Sequence, residues 1–300
     1  MSPSEYNENM RFNDANSYFK NTYGHKMYKA AISLPVTCPN RDGTCGYGGC
    51  SFCSSGGSGE FATASSIPVY DQIDMAIKRL SSKVPDDTGY IAYFQSFTNT
   101  YCEPSFLEDA LKQAASHPEV EAISVATRPD CLPGEILEVL KRSAEQLPLY
   151  VELGLQTSDD STAELFGRGY KTCVYNKAVP KLKEIGANVI THIIFGLKGE
   201  DKDQMMRSVK TAVEAGTDGV KFTCLYILRG TRAEDEWRKG EIMIRDMESY
   251  FDIVEEALAL LPPDTVVHRI TGDGPKSLLL APMWTADKRK VINYINGRFG

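Results

Sequence analysis

Apolar residues follow two alternating rhythms along the chain. Short runs dense in Val, Ile, Leu, Phe and Tyr occupy 26–36, 90–97, 120–126, 149–155, 188–197 and 219–227, and their length and bounded ends predict β-strands. Between them the apolar positions fall at helical spacing. The span 133–146 opens with Pro133, which suits a helix start, and places Ile136, Leu137 and Leu140 on one face. The span 200–215 does the same with Met205, Val209 and Val213. Each repeat is one strand and its helix rather than a solenoid unit, because no residue pattern recurs with it. Six such units predict parallel strands joined by right-handed crossovers, as a doubly wound sheet or as most of a barrel.

Beyond Arg232 the rhythm changes to a helical stretch over 246–261, a short strand over 265–270, a Gly- and Pro-rich loop over 271–282 and a last helix over 286–296. The chain therefore divides into a polar N-terminal segment, 1–25, an α/β body, 26–231, and a C-terminal extension, 232–300, packed on that body. With 42% hydrophobic residues among 300, the body can bury a core without disulfide or metal staples. Residues 1–14 are polar and acidic, and no apolar run reaches membrane-spanning length, so the expectation is a cytoplasmic protein with no membrane partner.

Thirty-three basic residues face 40 acidic ones, a net charge of −7, which excludes a chain-wide attraction to nucleic-acid backbones. Contact with RNA would need a local patch. Lys288, Arg289 and Lys290, with Arg298, form the best one, and a solvated helix face is the plainer reading of it. The eight cysteines change the picture more. Cytosolic thiols stay reduced, so clustered cysteines point to metal or redox chemistry. Cys38, Cys45, Cys50 and Cys53 lie in one glycine-rich loop that contains no histidine. Thiolates suit iron–sulfur clusters and zinc alike, so a four-cysteine zinc knuckle in a structural or RNA-binding protein stands as one alternative. Cys102, Cys131, Cys173 and Cys224 are scattered and read as small apolar residues.

The motifs Cys38-Pro39-Asn40-Arg41-Asp42-Gly43-Thr44, Gly49-Cys50 with Phe52-Cys53, Tyr93-Phe94-Gln95 with Thr98-Asn99-Thr100, and Thr127-Arg128-Pro129-Asp130 occur in order. They are followed by Glu152-Leu153-Gly154-Leu155-Gln156, Gly167-Arg168-Gly169, the stretch from His192 to Gly199, and Thr271-Gly272-Asp273. Together these resemble the radical S-adenosylmethionine (radical SAM) enzymes, and within them a bacterial subgroup distantly similar to the catalytic subunit of Elongator. The resemblance runs nearly the full chain. It implies a partial six-fold (β/α) TIM-like barrel with the C-terminal extension shaping its mouth. It also implies that Cys38, Cys50 and Cys53 bind three irons of a 4Fe-4S cluster whose fourth iron takes S-adenosyl-L-methionine, cleaved to methionine and a 5′-deoxyadenosyl radical. Cys45 stands where the family pattern has no thiol.

The same resemblance assigns Gln95, Thr98 and Asn99 to the SAM amine through backbone groups, Arg168 to its carboxylate, His192 to its ribose or adenine, and Gly196 to an adenine-facing turn. Glu152 and Gln156 share strand parity, so both side chains face one side, where SAM hydroxyls and amine would satisfy them. Neighbouring backbone could satisfy them instead, and His192 could equally be a core histidine. Arg128 and Asp130 anchor substrate or pair with each other. Cys131, beside that turn, is a candidate hydrogen donor or covalent partner, and Trp284 faces a base or packs on the barrel. The subgroup implies the carbon-5 side chain of the wobble uridine in tRNA as substrate, with carboxymethylaminomethyl converted to aminomethyl, and a reductant such as flavodoxin or ferredoxin. A small molecule such as a porphyrinogen is the other substrate class the motifs allow.

Overall fold

The computed structural model describes residues 10–57, 62–82, 84–272 and 274–300. Asp273 and residues 1–9 of the N-terminal segment, which the sequence reading included, lie outside them. Seven parallel strands form the main sheet in the order β1 (Met27–Ile32), β2 (Gly89–Phe94), β3 (Val120–Thr127), β4 (Leu149–Gln156), β5 (Asn188–Phe195), β6 (Gly219–Cys224) and β8 (Val266–Arg269). The two-residue β7 (Ile227–Leu228) leaves this sheet and pairs antiparallel with β9 (Leu279–Ala281). The sheet is curled into a half-barrel of the partial TIM-like type. Helices α2 (Val69–Ser81), α3 (Pro104–Ala115), α4 (Gly134–Ala144), α6 (Thr172–Glu184), α7 (Lys202–Glu214) and α9 (Met247–Ala259) accompany the strands. The short α5 (Asp160–Phe166) and α8 (Arg232–Arg238) follow strand ends, and α10 (Lys288–Phe299) closes the chain.

Two differences from the sequence reading matter for the site. The strand expected in the C-terminal extension is the seventh strand of the main sheet, with Gly219 opposite Val266 and Lys221 opposite Arg269. Its run was too short to distinguish a barrel strand from a peripheral one, because register is a tertiary property. The polar N-terminal segment, in turn, holds a helix, α1 (Ala15–Tyr23), capped by Asp14, whose carboxylate accepts from the Asn16 and Ser17 amides at 3.0 and 3.1 Å. Val267 N donates to Asn13 O at 2.8 Å, fastening this segment to β8.

Strand alternation separates two cores. Ile32, Phe94, Ile123, Val125, Val151, Leu153, Val189 and Phe222 turn outward into the main core beneath the helices. On the inner face Met27, Ile91, Ala122, Tyr150, Ile190 and Val266 make a separate apolar cluster with Ala15 and Phe19 of α1. The N-terminal helix thus plugs one end of the half-barrel. What the lumen contains is set by the residues two positions further along each strand.

Candidate active site

Those residues are Lys29, Tyr93, Ser124, Glu152 and His192 on β1 to β5 and the buried His268 on β8, with Lys221, two beyond Gly219, from β6. Glu152 is fully buried and organises them. Its Oε2 accepts from Tyr93 Oη at 2.7 Å and Lys221 Nζ at 2.5 Å and lies 2.9 Å from His192 Nε2, while Oε1 accepts from Lys29 Nζ and from Ser124 Oγ at 3.3 Å. Burial raises the carboxyl's proton affinity, but the two lysines and the histidine outweigh it and hold Glu152 well below the usual carboxylate range. Desolvation and Lys221 push His192 down to about 4, so the imidazole is neutral near pH 7.

The cysteine loop lies beyond the C-terminal end of β1, the face on which barrels of this type build their sites. Backbone bonds from Arg41 N to Cys38 O (2.8 Å), Cys45 N to Pro39 O (2.9 Å), Gly49 N to Asn40 O (2.9 Å) and Cys53 N to Cys50 O (3.0 Å) coil it into turns. Buried Asn40 ties it to the segment after α5, donating to Gly167 O at 2.7 Å, Arg168 O at 3.0 Å and Cys50 Sγ at 3.3 Å. Gly169, at φ +82°, sits against it. A Cβ there would stand 2.5 Å from Asn40 Oδ1 and 2.9 Å from Cys45 Sγ.

The thiols are not equivalent. A hydrogen bond from Cys53, helped by Asn40, brings Cys50 down to about 7, and Cys53, donating that proton, is pushed well up. Partial desolvation pushes Cys45 up, and its thiol donates to Asn40 Oδ1 at 2.9 Å. Arg128 forks onto Asp130 at 2.9 and 2.7 Å, and its outer nitrogens approach Cys38 Sγ at 3.6 Å and Cys45 Sγ at 3.5 Å. Among the described residues no three Cys, His, Asp or Glu side chains converge as one preformed metal site. The donor set nonetheless fits an iron–sulfur cluster by its chemistry, with four thiols on one short loop, one of them poised near neutrality, beside a guanidinium.

The strand-end residues divide into those that remain available and those already committed. Asn99 Oδ1 after β2, Thr271 Oγ1 after β8 and Arg245 Nε beside Gly196 are buried without hydrogen-bond partners among the described residues. A polar rim of this kind fits a ligand that supplies the missing partners. Asn99 otherwise pins the strand ends, its amide donating to Phe94 O and Ala126 O at 2.9 Å each, and the Thr98 amide reaches Thr37 O at 3.3 Å. The Gln95 amide bonds Ile32 O at 3.2 Å. Gln156 is left-handed at φ +61° after a bulge in β4, and its amide occupies the space above Gly154, where a Cβ would stand 2.4 Å from Nε2. Glu152 and Gln156 therefore do share the inner face, although the strand's alternation is broken between them. Gly196 takes φ +89°.

Three of the side chains expected at SAM are engaged within the protein. Arg168, expected on the SAM carboxylate, has all five N–H donors committed within the protein. Nε bonds Tyr170 O (2.9 Å), Nη1 bonds Leu155 O (2.9 Å) and Thr157 O (2.6 Å), and Nη2 bonds Asp160 Oδ1 (2.8 Å) and Thr172 Oγ1 (3.0 Å). It is a strut that fixes the end of β4, and the guanidinium facing the thiols belongs to Arg128. Glu152 has five protein partners on its two oxygens and is the hub of the lumen. His192 spends Nε2 on that hub. Cys131 is buried, its thiol pushed up by burial and then by Asp130. Trp284 packs on Tyr250 and Phe251 and donates to Arg245 O at 3.1 Å. Arg298 is drawn out of the basic patch by Asp252 and Glu255, at 2.7 and 2.6 Å.

Lys29, Lys221, Asn40 and Glu200 went unassigned in the sequence. A signal for the lysines was present, since each stands alone inside an apolar strand run, where an ammonium needs a partner.

A parallel half-barrel with a thiol loop after its first strand and a polar lumen defines a class, the barrel enzymes whose chemistry is done at the strand C-termini. Comparison with known proteins then gives the family. Residues 37–228 match the Radical SAM superfamily and residues 217–299 the Radical_SAM C-terminal domain, and the chain belongs to the radical SAM superfamily, enzymes that use a 4Fe-4S cluster and SAM. The uncharacterized protein YtqA of Bacillus subtilis is 39% identical over 290 residues, covering 97% of this chain and 90% of that protein. A tRNA uridine(34) acetyltransferase of Methanocaldococcus jannaschii is 30% identical over 184 residues, 59% of this chain and 33% of that protein. The archaeal Elp3 of Methanocaldococcus infernus shares the fold at a TM-score of 0.65 and 19% identity, over 85% of this chain and 58% of that one.

Proposed function

We propose that this enzyme modifies the carbon-5 side chain of the wobble uridine in tRNA, converting carboxymethylaminomethyl to aminomethyl. The similarity to a protein named for tRNA uridine 34 carries the reading. Lys288, Arg289 and Lys290 support it. All three are exposed in the first turn of α10, a basic face of the kind a polyanionic partner would meet.

In this reading Cys38, Cys50 and Cys53 hold the cluster, and Gln95, Thr98, Asn99, Gln156 and Gly196 line the SAM site. When bound, the cluster and SAM would supply one-electron chemistry that takes a hydrogen atom from the carboxymethyl methylene; loss of a second electron back to the cluster and hydrolysis of the resulting carbon–nitrogen double bond would release the two carbons as glyoxylate and leave the aminomethyl group. Asn40 and Arg128 stabilise thiolate sulfur with N–H donors. Gly154 leaves room for the Gln156 amide, and Arg168 holds the strand end that carries it. A flavodoxin or ferredoxin supplies the electron.

The test uses anaerobically purified protein, with iron content, 5′-deoxyadenosine release under reduction, and mass spectrometry of nucleosides from tRNA carrying carboxymethylaminomethyluridine. Aminomethyluridine should appear with the wild type. Cys38→Ala and Cys50→Ala should lose iron and product, while Cys45→Ala keeps both. SAM cleavage without any change in the tRNA would refute the substrate, and iron loss in Cys45→Ala equal to that in Cys38→Ala would refute the ligand set.

A further inference from the structure

The lumen layer holds more cationic donors than its own carboxylate can use. A carboxylate offers about four lone-pair sites, and Glu152 already faces Lys29, Ser124, Tyr93, His192 and Lys221. Each lysine has three N–H donors and gives one to Glu152. Arg269, paired in register with Lys221, adds a third cation whose field reaches Lys221 and Tyr93. Among the described residues this layer sets three basic side chains, Lys29, Lys221 and Arg269, against one carboxylate.

The excess is costly where it lies. Burial pushes the Lys221 ammonium well down, Glu152 draws it up, and Lys29 and Arg269 push it down again; a second anion would offset the repulsion among the basic groups. The layer is open on one side. Lys29 and His192 keep 27% and 32% of their side-chain surface exposed, whereas Glu152 and Lys221 keep 0% and 7%. It also lies inside the barrel, with Lys29 three residues before the end of β1 and Glu152 four before the end of β4, on the order of 10 Å below the rim.

We infer that this layer is a binding site for a carboxylate of the substrate, held by Lys29, Lys221 and Arg269, with Glu152 fixing the cations in place. The anion site stands on the placement of three basic side chains about one carboxylate. Its assignment to the carboxymethyl group of the uridine side chain rests on the proposed function. That carboxymethyl is the part lost in the conversion, so a cationic floor would distinguish substrate from product.

Two ligand pairs separate these levels, each measured by equilibrium binding to the anaerobic, SAM-loaded enzyme. The first is N-benzylglycine against benzylamine, which differ by one carboxymethyl group and contain no nucleoside. The second is an anticodon stem-loop RNA with carboxymethylaminomethyluridine or aminomethyluridine at the wobble position. The wild type should favour the carboxylate member of each pair by about tenfold or more, as for a charge-assisted contact. Lys29→Met should bring each ratio near one, and Lys29→Arg should retain it.

No preference for N-benzylglycine in the wild type overturns the anion site, a result independent of whether Lys29→Met folds. A preference persisting in folded Lys29→Met overturns it as well. Weakened SAM binding in that variant with both preferences intact would assign the layer to the cofactor. If N-benzylglycine is preferred but neither RNA binds, the site stands and the wobble-uridine reading falls.

Discussion

Replacing Arg168 by lysine separates a strut from a cofactor ligand. The guanidinium makes five bonds of 2.6 to 3.0 Å from a side chain that is 1% exposed, and four of the five partners lie in the segment from Leu155 to Tyr170. Lysine keeps the charge but offers three donors from one point, so at least two buried acceptors lose their partner. At roughly 1–3 kcal/mol for each buried polar group left unsatisfied, the loss is about 3–5 kcal/mol. For a chain of this size that corresponds to a fall of about 10 °C in the unfolding midpoint. Thermal unfolding of cluster-loaded protein, followed by circular dichroism beside SAM binding, reads both quantities. A midpoint within about 2 °C of wild type, together with a selective loss of SAM affinity, would refute the strut and return Arg168 to the cofactor.

Burial pushes the Glu200 carboxyl up to about 7, against the opposing pull of Thr157 and the Leu197 and Gly196 backbone, so its neutral form is favoured in the folded state. Stability should fall as pH rises from the ordinary carboxylate range through 7, by roughly 3 kcal/mol in all. Glu200→Gln removes that loss; urea unfolding of SAM-free protein should find the variant more stable at pH 8 and equal to wild type near pH 4, and an identical difference at both would contradict the assignment. Gly169→Ala should strip iron from a protein that still folds, because its Cβ collides with Asn40 and Cys45. Gly186→Ala, at the same φ of +82° with nothing within 4 Å, is the control for backbone strain and should keep its iron. Alanine at Lys288, Arg289 and Lys290 together should weaken tRNA binding and flatten its salt dependence by up to about three ions released, measured by titration at several salt concentrations, while leaving the unfolding midpoint unchanged or raised.

Strand parity, helical spacing and cysteine spacing are local properties, and they determined much of this protein. The six strand runs, the helices between them and the thiol loop after the first strand are where the sequence pattern puts them, because one face of each element must be apolar at period 2 or 3.6. The α1 helix was marked in the sequence by Asp14 and Gly24 at its two ends. Tertiary structure alone decided which polar residues meet. Arg128 and Arg168 are both arginines in glycine- or proline-flanked turns, and only the fold turns one toward the thiols and spends the other on backbone carbonyls. Lys29, Glu152 and Lys221 are separated by 123 and 69 residues. They become one charge network because curling the sheet brings the inner faces of β1, β4 and β6 together, and no local pattern in the chain encodes that closure.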